Sequence, residues 1–161
     1  MSPPAKVYGE VGETRTEADF DRFLSHLLAP LTSCPMVHLV MDNLNTHVSE
    51  AVVPVVARDE GLADKVLGVK GKRGILQSMP SRAAFLREAS HRIVCHFTPK
   101  HASWLNQIEI WFSILARKVI RRGNFTSTSD LRAKLLAFIA YFNATMAKPF
   151  KWTYQGKPLA A

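Results

Sequence analysis

The sequence predicts an α/β domain. Two apolar runs carry strand character. Met36-Val37-His38-Leu39-Val40-Met41 is nearly unbroken, and His91 to Phe97 returns to the same pattern before Thr98-Pro99 stops it. Between and after them, apolar residues recur at steps of three and four, the spacing of amphipathic helices. The resulting order is strand, helix, strand, helix, insert, strand, helix, helix, which is an α/β layout. At 161 residues the chain suits a single domain over 1–161, and a hydrophobic fraction of 47% is enough to build its core.

Residues 6–11 (KVYGEV) alternate in part and predict a short first strand. Thr16 caps a helix from about Glu17 to Ala29. Its first turn is acidic, and its apolar face is Phe20, Phe23, Leu24, Leu27 and Leu28. Pro30 ends it. The run 36–41 reads as a strand buried on both faces, as in a parallel sheet. Ser49 can cap a helix towards Glu60, although Pro54 falls inside it. Residues 61–90 read as an insertion. Within it, GVKGKRG (68–74) is expected to be a flexible surface loop, since it lacks the Gly-Lys-Ser/Thr ending of a nucleotide-binding loop. Pro80 to Ala89 holds a short helix.

The next helix has Ser103 as its N-cap and Leu105, Ile108, Phe112, Leu115 and Val119 as its stripe. It stops at Gly123 after Arg121 and Arg122. A last helix starts in the Thr126 to Asp130 cluster and runs to about Ala147. Leu131, Leu135, Phe138, Ile139 and Phe142 are among its apolar positions. Trp104 and Trp111 lie on one side of their helix and read as core or interface rather than as platforms for bases.

The net charge of +8 is unevenly placed. Residues 1–99 carry 11 basic and 11 acidic side chains, whereas residues 100–161 carry 10 basic residues against Glu109 and Asp130. A basic C-terminal third favours a polyanionic partner, because Lys and Arg displace counterions from phosphates. Arg117, Lys118, Arg121 and Arg122, with Lys100, are the candidate DNA contacts. Lys148, Lys151 and Lys157 interleave with Phe150, Trp152 and Tyr154, which suits either a DNA grip or a docked tail. No stretch approaches the roughly 20 apolar residues of a bilayer span, and MSPPAKVYGEV lacks the apolar centre of a signal peptide. A soluble, cytoplasmic protein with no membrane partner is expected. Cys34 and Cys95 then read as buried free thiols. Cys95, His96 and His101 match no zinc spacing.

Chemistry enters after the first apolar run, in VMDNLNTH (40–47). Open α/β sheets bind ligands where strands give way to loops at their C-terminal edge. A buried strand would deliver Asp42 there, with Asn45 and His47 around it. An Asp-Asn turn bonded to its own backbone is the other reading of this stretch. Glu109 is the only acid between Glu88 and Asp130. At 100° per residue it falls about a quarter turn from the centre of the apolar stripe, at the edge of the core. Two carboxylates meeting at a sheet edge suit a hard divalent cation, Mg²⁺ or Mn²⁺.

DNLNTH, then FTPKHASWLNQIEIWFSIL, a Phe-Thr-Ser-x-x-Asp-Leu helix and a KPFKWTY tail resemble the catalytic domain of Tc1/mariner-related bacterial insertion-sequence transposases. The resemblance covers about 36–60 and 91–157, and less distinctly the first 30 residues. It implies a ribonuclease H-like fold and an Asp-Asp-Glu/Asp triad binding two Mg²⁺ ions. It also implies DNA strand cleavage followed by strand transfer. Asp42 then corresponds to the second triad member and Glu109 to the third. Asn45, His47, Trp104, Asn106 and Gln107 become neighbours of the site.

Two features depart from the family pattern. Asp42 and Glu109 stand 67 positions apart, wider than is usual, and the 61–90 insertion accounts for it. The first triad Asp has no counterpart on a strand upstream of KVYGEV, and Asp19 and Asp21 fall in a helix. The expectation is therefore an incomplete domain, lacking the first strands and first catalytic Asp, and inactive alone. Its expected partners are DNA at element ends and target, and either further copies of itself or a full-length transposase. The competing expectation is a non-catalytic DNA-binding or oligomerising fragment that inhibits a full-length transposase.

Overall fold

The computed structural model describes residues 6–42, 50–98 and 107–148. The chain divides into two compact units, Gly12–Arg117 and Met1–Val11 with Lys118–Ala161.

The larger unit begins with helix α1, Glu17–Leu28. Thr16 accepts from the Asp19 amide, while the Asp19 carboxylate reaches back to the Thr16 amide, a reciprocal capping box. Leu24 and Leu28 are buried, with Phe20 and Leu27 packed against the same core. A short 3₁₀ turn, Ala29–Leu31, contains Pro30 and leads towards strand β1, Val37–Met41. Helix α2 follows as Val52–Asp59. Pro54 sits in its first turn, where no amide has an intrahelical acceptor, so the ring breaks no bond. The expected Ser49 cap lies outside the described residues. Val52, Val53, Val55, Val56 and Ala57 are all buried, which makes α2 the centre of the core.

Residues 61–90, expected as an insertion, are built rather than loose. Helix α3, Asp64–Leu67, leads into a tight antiparallel turn in which Val69 bridges Arg73. A 3₁₀ turn, Ile75–Gln77, then precedes helix α4, Met79–Leu86, capped by Ser78. The expectation of a flexible loop at 68–74 is corrected here. Gly68 and Gly74 both take positive φ, and a Cβ on Gly68 would stand within 2.8 Å of the Gly74 Cα. Only glycine permits that approach. Leu67 and Leu86 contribute to the core.

Strand β2, Ile93–Phe97, pairs in parallel with β1 in the register Val37 to Ile93 through Met41 to Phe97. Helix α4 packs against α2 and β2, and α1 packs against α2. Val37, Met41, Ile93 and Cys95 face this core. The expectation of burial on both faces of β1 is corrected: His38 is exposed and Val40 is 59% exposed. Among the described residues the sheet has two strands, and the face that carries His38, Val40 and His96 is exposed. Arg92 ties the start of β2 to its surroundings. It forks onto the Asp59 carboxylate, donates from Nη1 to the carbonyls of Leu31 and Cys34 at 3.0 Å each, and its amide donates to Glu60 at 2.6 Å.

Helix α5, Gln107–Leu115, continues as a π-helical turn, Ala116–Ile120. Its buried residue is Trp111, while Ile108 and Phe112 of the expected stripe are exposed.

In the smaller unit, helix α6 runs Thr128–Thr145 from a Ser127 cap. Residues 6–11, expected as a strand, form none. Their backbone is held by the side-chain amide of Asn143, which accepts from the Val7 amide and donates to the Val7 carbonyl, both at 2.8 Å. One side chain thus meets the two backbone groups that a neighbouring strand would have met. Gly9 lies against Ile139, where a Cβ would come within 2.8 Å of the Cδ1.

Candidate active site

Because β1 and β2 are parallel, both leave the sheet at the same edge. Asp42 follows Met41 directly at that edge and is half-buried. The Thr98 amide donates to the Met41 carbonyl at 2.8 Å, carrying the ladder one residue past β2. Thr98 itself is buried. The chain that continues to Glu109 therefore starts beside Asp42. Glu109 lies in the first turn of α5, where a carboxylate is favoured by the helix dipole.

The placing of Glu109 at the edge of the core is corrected. It stands two residues from Trp111, which is 200° around the helix, so it lies nearly opposite the buried side and is exposed. The sequence centred the stripe on Ile108, Phe112 and Leu115, whereas the packing chose the larger indole. Asn45, His47, Lys100, Trp104 and Asn106 lie outside the described residues.

Asp42 and Glu109 are oxygen donors of the kind a hard divalent cation takes. In number they fall short: among the described residues no group of three or more His, Cys, Asp or Glu is placed to hold a metal ion. Asp19 is committed elsewhere. Its carboxylate accepts from the Thr14 hydroxyl, the Thr16 amide and hydroxyl, and Arg22, and these bonds hold it well below the usual carboxylate range. Asp21 faces Arg58 at 3.9 Å. Both residues lie in helix α1, where the sequence put them.

Cys34 and Cys95 are free thiols. Burial pushes the Cys95 thiol up to about 11, so it stays protonated near neutral pH. His96, the next residue, points to the opposite face of β2. There its Nε2 stands 2.9 Å from Nδ1 of His38. Sequence reasoning missed this pair, though its signal was present: both histidines occupy the outward phase of their strands. Only the register shows that they meet.

Arg117, Lys118, Arg121 and Arg122 are all exposed, along the π-helical turn and the residues after it. Arg117 Nε donates to the Ser113 carbonyl at 3.2 Å. Among the described residues, no helix is long and apolar enough to cross a membrane.

A family model described as DDE superfamily endonuclease matches residues 6–132. No curated protein and no solved structure matches the chain. Nucleases of this superfamily act on DNA and generally use divalent metal ions. The match spans both parallel strands and the helix bearing Glu109, and the mixed α/β architecture is compatible with it. On that match, covering well over half its length, the chain belongs to the DDE superfamily endonucleases.

Proposed function

We propose that this chain is a transposase-derived domain for metal-dependent DNA strand cleavage and strand transfer, of the bacterial insertion-sequence type related to Tc1/mariner elements. Asp42 and Glu109 are its two catalytic carboxylates, and Mg²⁺ or Mn²⁺ is its cofactor. The observation that carries this reading is the shared edge of the parallel pair. Met41 hands the chain to Asp42 where Thr98 hands it to the segment leading to Glu109. Asp42 and Glu109 would hold a divalent ion there, and it would supply activation of the attacking oxygen and stabilisation of the leaving one in phosphodiester chemistry. The chain's own part is to hold the two carboxylates on one edge and to present Arg117, Lys118, Arg121 and Arg122 to the DNA backbone. Lys100 is proposed as a further DNA contact, and Asn45, His47 and Asn106 as neighbours of the carboxylates, on the family resemblance alone.

With two carboxylates, residues 6–132 do not cleave unaided. A third oxygen ligand has to come from another segment, and a further copy of the chain or a full-length transposase is its source. The test is Mn²⁺-induced NMR line broadening. Selective broadening of the Asp42 and Glu109 amides, lost in Glu109→Gln, supports the half-site. Broadening scattered over surface acids would sink it.

A second reading, a non-catalytic DNA-binding or oligomerising domain, is favoured by the absence of a three-ligand cluster among the described residues. Adding a segment that bears a third Asp separates the two. Mg²⁺-dependent nicking abolished by Asp42→Ala supports the enzyme, and DNA binding without nicking supports the second reading.

A further inference from the structure

We propose that His38 and His96 form a bidentate binding site for one borderline transition-metal ion of the Ni²⁺ or Cu²⁺ class, on the face of the sheet turned away from the core. This site is separate from the carboxylates and does not rest on the reading given for them.

The register builds it. His38 pairs with Val94 and Val40 with His96, so the two histidines are diagonal neighbours on one face of the ladder. Both are exposed. Their rings lie 5.1 Å apart between centroids, tilted by 42°, with Nδ1 of His38 and Nε2 of His96 at 2.9 Å. A hydrogen bond across that gap requires one imidazole to present a bare lone pair and the other an N–H. Exchanging that proton for a metal ion gives both nitrogens a common partner, and the exposed rings have room to turn their lone pairs towards it.

If the nitrogens keep about this separation after turning, it suits a particular class of ion. With metal–nitrogen bonds of about 2.05 Å, nitrogens 2.9 Å apart subtend about 90° at the ion. That is the cis angle of square-planar and octahedral complexes, the geometries of Cu²⁺ and Ni²⁺. A tetrahedral angle needs about 3.3 Å between the nitrogens. Imidazole also discriminates against Mg²⁺, which takes oxygen ligands. The remaining positions on the ion stay open to water or to an outside donor. Because the two ligands sit on different strands, a bound ion clamps β1 to β2 and stabilises the folded state by mass action.

The experiment uses the intact chain and Ni²⁺. Isothermal titration is expected to show a Ni²⁺ site that His38→Gln and His96→Gln each weaken by at least about tenfold. Ni²⁺ is expected to raise the unfolding midpoint of the wild-type chain by more than that of either Gln variant. A second measurement needs no variant. Diethylpyrocarbonate modification, read by mass spectrometry at each of the six histidines, is expected to slow at His38 and His96 alone when Ni²⁺ is present. Affinity unaltered in both Gln variants, protection at other histidines instead, or no binding of Ni²⁺ would each overturn the proposal and leave the pair as a plain surface hydrogen bond.

Discussion

The Thr98 amide donates to the Met41 carbonyl across 2.8 Å, one rung beyond the last paired residue of β2. Both residues are buried, so the carbonyl has no ready access to water if the donor is lost. Thr98→Pro removes that donor while Thr98→Val keeps it. The proline variant is expected to lose about 1–3 kcal/mol of stability in urea unfolding, the cost of an unmet buried acceptor. The valine variant should lose less. Equal losses in the two would show that the rung contributes nothing.

Asp19 makes the acid stability of α1 predictable. Its carboxylate is the acceptor for Thr14, Thr16 and Arg22, so protonation removes several bonds together. The folded state holds the group well below its ordinary value of 3.8. A depressed carboxylate contributes stability above its unfolded pKa and loses it as pH falls through the folded one. The stability gap between the wild-type chain and Asp19→Asn is therefore expected to be constant from neutrality to about pH 5, and to shrink progressively below about pH 4. Unfolding midpoints at a series of pH values measure it. A gap that stays constant down to pH 2 would contradict the capping geometry.

The turn at 68–74 separates two roles for glycine. Gly68 has φ +81 and ψ −147, and a Cβ there would stand 2.1 Å from the Arg73 carbonyl oxygen. Gly71 has φ +72 and no atom within 4 Å of a built Cβ. Gly71→Ala thus meets backbone strain alone, about 1–2 kcal/mol. Gly68→Ala meets both strain and collision, in a region of backbone space that belongs to glycine. It is expected to destabilise the chain well beyond Gly71→Ala in thermal unfolding. Comparable losses would mean that the turn opens to admit the methyl group.

Much of this architecture was legible because its signals are local. Thr16 and the three-and-four spacing of Leu24 and Leu28 placed α1, and the Thr126 to Asp130 cluster placed the start of α6. The apolar runs located both strands. What failed was non-local. Asn143 meets Val7 across 136 positions, which no pattern in KVYGEV announces. Val40 shows why an unbroken apolar run cannot count the covered faces: periodicity reports what a strand can bury, and neighbours decide what it does. The place of Asp42 at the sheet edge was legible from its position after the run, whereas the exposure of Glu109 depended on Trp111 taking the buried side of α5.

Cys95 lies inside the core on β2, and burial pushes its thiol up to about 11 from an ordinary 9.0. In the unfolded chain the same thiol ionises near its ordinary value. Between pH 9 and 11 the unfolded state therefore releases a proton that the folded state keeps, and stability drains as pH rises. The stabilising contribution is complete below pH 9 and lost through the folded value. Measured against Cys95→Ala, the wild-type chain is expected to lose about 1–3 kcal/mol more between pH 8.5 and 11. Groups common to both chains cancel in the comparison. The same burial dictates reactivity: a disulfide reagent at pH 8 should label the half-buried Cys34 first and reach Cys95 only at the rate of unfolding. Prompt labelling of both thiols would place Cys95 outside the core and remove the basis for the alkaline loss as well.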